Sequence, residues 1–522
     1  MTVSVKTGHD AKSKVLAGIN KVSDTVKLTL GYGGRNIYIE NYGATKDGVS
    51  VARSFTQLKN SYENIGSGMI TDVASNAESG TGDGTTTATV LAQAIAVKGY
   101  ENVVAGANQM LIKKGIDKAT KVVVDAIAKM SIPVEVGSDM IRQVAEVSSN
   151  GDEEISRLIF DAMCAIGENG VVRVESAKDV ETRLEIVNGM EFDSGWVHYL
   201  FATNQKMESE LENPYILLCE KPISKMSDLM PILDPVAKEG RPLVVVAEDF
   251  EGDALATILK NKMEGRIKIC LIKAPYSGDV KVSFLEDIAF KTGATLVSEA
   301  RGIKLSDSDV SVLGKASKIV VGKSKTTIIG GEGEQEQIDK RVEEIKIDID
   351  NSKNPYEKTK LKERLAKLSG GVAVLYVGAI SEVELRERTD RVDDAVKATQ
   401  AAMEEGIVAG GGVVYIRAIK SLNKLKTNNK DEQVGVEIVI EALKAPLKQM
   451  VLNAGGDPSV VLNKVMKSTG NYGYNLRTEK YCDLVKDGIV DPAKVARVAI
   501  ENASSISGMF LTTESVIVND KE

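Results

Sequence analysis

Both ends of this 522-residue chain are written in one style and its middle in another, and that arrangement narrows the folds open to it. Up to about residue 130, and again from 406 to 522, alanine and valine recur at helical spacing, as in Val15, Leu16, Ile19, Val22 and Val26. After Gly189 the pattern changes. Tyr215-Ile216-Leu217-Leu218, Leu243-Val244-Val245-Val246 and Ile267-Lys268-Ile269-Cys270 alternate with helix-like stretches near 225–238 and 252–263, which predicts an α/β layer. Between the two styles lie a break at Pro133, a helical segment over 138–166 and two strand-like runs, 170–174 and 183–187. A charged helical pair at 333–348 and 355–368 and a long helix over 382–405 lead back to the first style. Two accounts fit the matching ends: a coincidence of composition, or an insertion architecture in which the termini build one domain around inserted ones. The length suits about two to four domains.

Composition excludes several function classes. The net charge is -8 with no basic block to offset it, so a nucleic-acid partner is not expected. No run of 18 apolar residues occurs and the N-terminus has no apolar leader, so neither a membrane span nor secretion is expected; a cytoplasmic or equivalent reducing compartment is. Cys164, Cys219, Cys270 and Cys482 stand far apart among apolar neighbours, which predicts buried free thiols. With only His9 and His198, histidine-based catalysis is close to excluded.

The run Gly80-Thr81-Gly82-Asp83-Gly84-Thr85-Thr86-Thr87, followed at once by the apolar Ala88 to Val97, carries the strongest chemical signal. Its glycines let the backbone turn, and the helix that follows offers free N–H groups to an anion. Asp83 would repel a phosphate unless a cation stood between them, so the pattern reads as phosphate plus magnesium. The alternative is a capped helix in which Thr and Asp serve only as caps. Gly31, Gly33 and Gly34 form a further turn. Gly410-Gly411-Gly412 admits close approach by a ligand or close helix packing. Gly322-Lys323-Ser324 imitates a P-loop ending but lacks the earlier glycine, where Ser317 stands, and runs into a strand. In the 382–405 helix, Val392, Ala395, Val396, Thr399 and Met403 form one stripe and Asp394 points away from it, either solvated or aimed at a site elsewhere.

Thr29-Leu30-Gly31, Thr45-Lys46-Asp47-Gly48-Val49-Ser50-Val51-Ala52-Arg53, the Gly82 to Thr89 run, Ala409-Gly410-Gly411-Gly412, Gly473-Tyr474-Asn475 and Asp491-Pro492 together resemble the group I (GroEL-type) chaperonins, over nearly the whole chain. The resemblance implies a multidomain α and α/β fold. A mostly helical equatorial ATPase domain would come from 1–132 and 406–522. A small α/β intermediate domain would come from 133–188 and 372–405, and an inserted α/β apical domain from 189–371. By similarity, Thr29, Leu30, Gly31, Tyr32, Gly411, Asn475, Leu476, Arg477 and Asp491 would line an ATP site, with Lys46 beside the phosphates. Asp83 would hold Mg2+, Gly84, Thr85, Thr86 and Thr87 would cradle the phosphates, and K+ would assist. Asp47 and Asp394 would promote hydrolysis, with hinges near Pro133 and Gly406 and near Gly189 and Gly371.

The same resemblance implies an apical groove for non-native polypeptides, formed by Trp196, Leu200, Phe201, Met230, Leu233, Leu255 and Leu259. Without it, such stripes read as core. Seven-membered rings, single or double, and a small co-chaperonin lid are also implied. The chain departs from the family pattern at Tyr32-Gly33, at Leu476-Arg477, at Lys260 in the groove and at Pro235 within a groove helix. A competing reading is a chaperonin-derived holdase or scaffold with weak ATPase, which the altered pocket residues favour and the intact Asp47, Asp83 and Asp394 oppose.

Overall fold

The computed structural model describes residues 2–520 apart from 41, 56, 150, 168, 169, 178, 205 and 353. The chain divides into two compact units: Met1–Asp161 with Val174–Arg183 and Tyr376–Glu522, and Ala162–Arg173 with Leu184–Leu375.

The first unit is built mainly from helices whose apolar stripes meet in one core. In the Gly8–Val26 helix, Val15, Ile19, Val22 and Val26 recur every three or four residues and all are buried. Small residues let these helices touch. A Cβ on Gly18 would stand 2.0 Å from the Glu63 carbonyl oxygen, and one on Gly66 2.0 Å from that of Val15, so the helices Gly8–Val26 and Ser61–Thr81 cross backbone to backbone. Gly115 and Gly435 serve the same end where Gln109–Met130 crosses Lys430–Ala442. The Ala493–Thr512 helix packs on Thr85–Val104 and Gln109–Met130, with Ile500, Ala503 and Phe510 buried. Strand Thr2–Thr7 pairs antiparallel with Ser515–Asp520, Val5 opposite Ile517, and ties the two ends of the chain together. Farther along, Ile132 and Ile407 bridge through both backbone hydrogen bonds, at 2.8 and 2.9 Å.

The second unit holds the α/β layer that the middle of the sequence predicts. Tyr215–Leu218, Leu243–Ala247 and Ile269–Lys273 run parallel, with helices Met226–Glu239 and Gly252–Met263 as their crossovers. Parallel strands covered on both faces need uninterrupted apolar sequence, and every residue of Leu243–Ala247 is buried. The sheet continues antiparallel through Gly314–Val321, Thr326–Gly331 and Gly189–Phe192, with Ser209–Glu212 also paired to Gly314–Val321. Gly322-Lys323-Ser324 is the turn of that hairpin. The charged helices Gln335–Asn351 and Pro355–Ser369 bury only a narrow set, among them Ile338, Ile345, Ile349 and Leu368. Two of the four thiols correct the sequence reading: Cys219 and Cys270 are buried, but Cys164 is exposed and Cys482 half-buried.

Candidate functional site

A cavity of about 840 Å³ lies within the first unit, and all the residues named above for the nucleotide, for magnesium and for hydrolysis line it. Its shape begins with glycines. The Ser61–Thr81 helix is closed by Gly82 in the left-handed region (φ 71°), and Gly84 (φ 83°) starts the next helix, Thr85–Val104, with no side-chain cap. The first intrahelical bond there runs from the Ala88 N–H to the Gly84 carbonyl at 2.9 Å. The N–H groups of Thr85, Thr86 and Thr87 therefore have no carbonyl within the helix to bond, and they lie at the positive end of its dipole. Asp83 is no cap for these groups: its Oδ1 accepts from the Gly84 N–H at 2.5 Å, and its Oδ2 from Ser148 Oγ at 3.3 Å.

Two more backbone turns open on the same space. Gly412 (φ 73°) starts the Val413–Leu422 helix, again without a side-chain cap. A Cβ on Gly410 would press within 3.2 Å of the Ile489 carbonyl and Asp491 Oδ1, so the triple glycine permits close packing as well as an open helix end. Beside the Thr85–Val104 helix start, Asp47 caps the Gly48–Ser54 helix, accepting from the Val49 and Ser50 N–H groups at 3.1 and 2.9 Å. Gly48 must lack a side chain there, because its Cβ would stand 2.3 Å from Thr86 Oγ1. Thr86 Oγ1 in turn lies 3.2 Å from Thr29 Oγ1.

Charge is the dominant feature of this cavity. Burial raises the carboxyls of Asp83, Asp394 and Asp491 above their ordinary range. Asp394 goes well above it, pushed further by Asp83 and Asp47, and Asp491 reaches about 7, pushed further by Asp83. Burial and the nearby Arg391 lower Lys46, against the opposing pull of Glu387. Carboxyls gathered this closely resist ionisation unless a cation joins them. Among the described residues no three His, Cys, Asp or Glu side chains converge as a metal cage. A hard cation that takes one or two carboxylates and completes its shell with phosphate oxygens fits this donor set.

A pH effect follows. Asp491 keeps its proton to about pH 7 when folded and loses it near 4 when unfolded, so its contribution is fully present below pH 4 and is lost as the pH rises through 7. Without ligands, Asp491→Asn should be more stable than the parent by an amount that grows across that window. A gain on the order of 3 kcal/mol at pH 8, allowing for solvent at the cavity mouth, is expected in denaturant titrations. Parallel stability curves from pH 4 to 8 would show that the proton on Asp491 does not matter.

The other end of the cavity is organised differently. Asn475 Oδ1 accepts from the Arg477 and Thr478 N–H groups at 2.9 and 3.2 Å, and its Nδ2 donates to Asp487 Oδ2 at 3.2 Å. The amide thus shapes the turn that presents Leu476 and Arg477. Tyr32 stands at the mouth, 63% exposed, and Met450 covers Gly31 so closely that a Cβ there would lie 2.7 Å from Met450 Cγ.

Sequence reasoning missed a whole wall. Arg142, Gln143, Glu146 and Ser148 line the cavity from the Asp139–Ser148 helix, as do Glu387, Asp390 and Arg391 from Glu382–Glu405. The 138–166 segment read as one helix is two, separated around Gly151 (φ 87°), and the break brings Ser148 and Gly151 to the cavity. The signal was present: Ser148-Ser149-Asn150-Gly151-Asp152 is a run of turn formers.

The groove residues lie in the second unit and divide. Trp196, Leu200, Leu255 and Leu259 are half-buried and Met230 is 36% exposed. Phe201 and Leu233, expected on an open surface, are core residues at 0% and 5% exposure. The reason is local. Phe201 belongs to a short turn folded onto the sheet, and Leu233 shares the inward stripe Leu229, Ile232, Leu233 and Val236 of the Met226–Glu239 helix. Trp196 is held by its indole N–H, which donates to the Met207 carbonyl at 3.0 Å. Pro235 and Pro231 both sit inside that helix, which remains continuous.

A model of the TCP-1/cpn60 chaperonin family matches residues 22–521. Among solved structures, the chaperonin gp146 from the bacteriophage EL 2 (Pseudomonas aeruginosa), crystallised in the presence of ATP-BeFx, is similar at a TM-score of 0.71. The two are 22% identical, and 99% of each chain is covered. A second crystal form of the same protein gives 0.66 and 21% over the same share.

Proposed function

Because the chain belongs to the TCP-1/cpn60 chaperonin family, we propose that it is an ATP-dependent chaperonin, a divergent member of group I, which binds non-native polypeptides and promotes their folding through ATP-driven domain movements in a ring chamber. The observation that carries this reading is one cavity in which two helix N-termini without side-chain caps, Lys46 and the carboxyls of Asp47, Asp83, Asp394 and Asp491 converge. That is the equipment for a phosphate chain with its cation.

In this reading Gly84 to Thr87 hold phosphate oxygens by backbone N–H groups and Lys46 adds a charge. Thr29, Leu30, Gly31, Tyr32, Gly411, Asn475, Leu476, Arg477 and Asp491 enclose the remainder of the nucleotide. Asp83 would hold Mg2+, which would neutralise charge on the phosphoryl group, and K+ would be a further counter-ion. Asp394 and Asp47 orient the attacking water. The domain division is equatorial 1–132 and 406–522, intermediate 133–188 and 372–405, and apical 189–371, hinged near Pro133 and Gly406 and near Gly189 and Gly371. Trp196, Leu200, Met230, Leu255 and Leu259 supply the apolar polypeptide surface, multiplied around a homo-oligomeric ring of about seven subunits. A small lid protein is the further partner.

The test uses the assembled protein and a fluorescently labelled, acid-unfolded substrate. Binding without nucleotide followed by release on adding ATP and Mg2+ is expected, with turnover of ATP. Binding with no release and no turnover would sink the folding-machine reading and leave a holdase.

A further inference from the structure

Lys397 lies on the Glu382–Glu405 helix one turn beyond Asp394, and its side chain is laid across the turn that carries Asp83. A Cβ built on Gly82 would stand 2.1, 2.2 and 2.7 Å from Lys397 Cδ, Cβ and Cγ, so the aliphatic stem covers that left-handed glycine directly. The head of the same side chain is set among acids. Its Nζ lies 2.9 Å from the Asp393 carboxylate, and Asp394 and Glu78 also act on its charge; Glu78 is otherwise held by Arg53 at 2.6 Å.

We propose that Lys397 is a positioning residue for ATP hydrolysis, a clasp whose stem holds the Asp394 helix against the Gly82-Asp83 turn and whose ammonium offsets the carboxylates that would otherwise drive the two apart. The proposal rests on the ATPase reading above. The physical need is plain. Asp393 and Asp394 on one helix and Glu78 on the other place negative charge around Lys397, and Asp394 is also repelled by Asp83; like charges this close push elements apart unless a cation sits among them. An apolar stem on a residue without a Cβ fixes the separation of the two backbones, which neither a shorter side chain nor a solvated one would do. Such a clasp touches neither nucleotide nor water; it sets where Asp394 stands relative to Asp83, and a misplacement of about 1 Å there is felt in the chemical step.

The experiment measures steady-state ATP turnover, nucleotide affinity and thermal unfolding for the parent and for Lys397→Met, Lys397→Ala and Lys397→Arg, with Asp394→Asn as the reference. Methionine keeps a stem and removes the charge. For it kcat should fall about tenfold, while KM for ATP stays within about twofold and the unfolding temperature is unchanged; alanine should lose more, and arginine should recover turnover to within about threefold of the parent. A parent without ATPase activity would overturn the functional reading itself. An active parent with full turnover in Lys397→Met would overturn the clasp alone, as would a loss of turnover that arginine does not rescue and that tracks a lowered unfolding temperature.

Discussion

Replacing Asp394 by Asn is expected to lower ATP turnover by about 100-fold or more while leaving nucleotide affinity within about threefold of the parent, or slightly tighter. The expectation comes from where the side chain stands. Asp394 lines the cavity, is driven well above the ordinary carboxylate range by burial and then by Asp83 and Asp47, and has no structural capping duty of the kind Asp47 performs. A carboxylate held under such strain gains most when a cation and a nucleophile are present, so its removal falls on the chemical step. Asparagine keeps the shape, relieves repulsion toward Asp83 and Asp47, and cannot take up a proton. Single-turnover hydrolysis beside equilibrium binding of a fluorescent nucleotide separates the two effects. Turnover within about threefold of the parent would remove Asp394 from the mechanism.

The largest effect on stability is expected from Asp287→Ala in the second unit. Asp287, with its side chain 1% exposed, accepts a bidentate pair from Arg364 at 2.7 and 2.9 Å and a third bond from Arg341 Nε at 3.3 Å. It joins the helices Gly278–Thr292, Gln335–Asn351 and Pro355–Ser369. Arg364 is itself buried, so truncation of the carboxylate leaves a guanidinium charge without its counter-ion. Breaking a buried pair in this one-sided way costs about 3–5 kcal/mol. Removing both charges together, as in Asp287→Leu with Arg364→Met, should cost clearly less than the single change. Denaturant unfolding of both variants decides the matter: a loss below about 1 kcal/mol for Asp287→Ala, or a double variant worse than the single, would show that the network is incidental.

How much of this could be read beforehand depended on whether the signal was local. The Gly82 to Thr87 loop was legible because turn chemistry and a helix start are adjacent in sequence, and the uncapped helix end is there. The stripe Val392, Ala395, Val396 and Thr399 is buried as its period requires, which leaves Asp394 on the other face; the period alone could not say what that face meets. The resemblance to a family supplied that step. Ser148 escaped notice because its importance lies in a contact with Asp83, 65 residues away, and a helix break disguised as helix hid it. Phe201 and Leu233 went wrong for the opposite reason. A resemblance carries positions across but not the packing of this chain's own neighbours, and an apolar stripe beside a sheet buries whatever it can reach.

The pairing of Thr2–Thr7 with Ser515–Asp520 also bears on how the molecule is made. Those contacts span almost the entire chain, and the cost of closing so long a loop must be met before the strands reward it, so the ribbon belongs to the last stage of folding. On a ribosome the second unit, continuous from Leu184 to Leu375 apart from one short segment, is complete and able to collapse while the final helix, Ala493–Thr512, is still unsynthesised. Until that helix arrives, the apolar faces of Thr85–Val104 and Gln109–Met130 that it covers have no partner. The nascent chain therefore passes through a period in which it is itself a non-native polypeptide with exposed core.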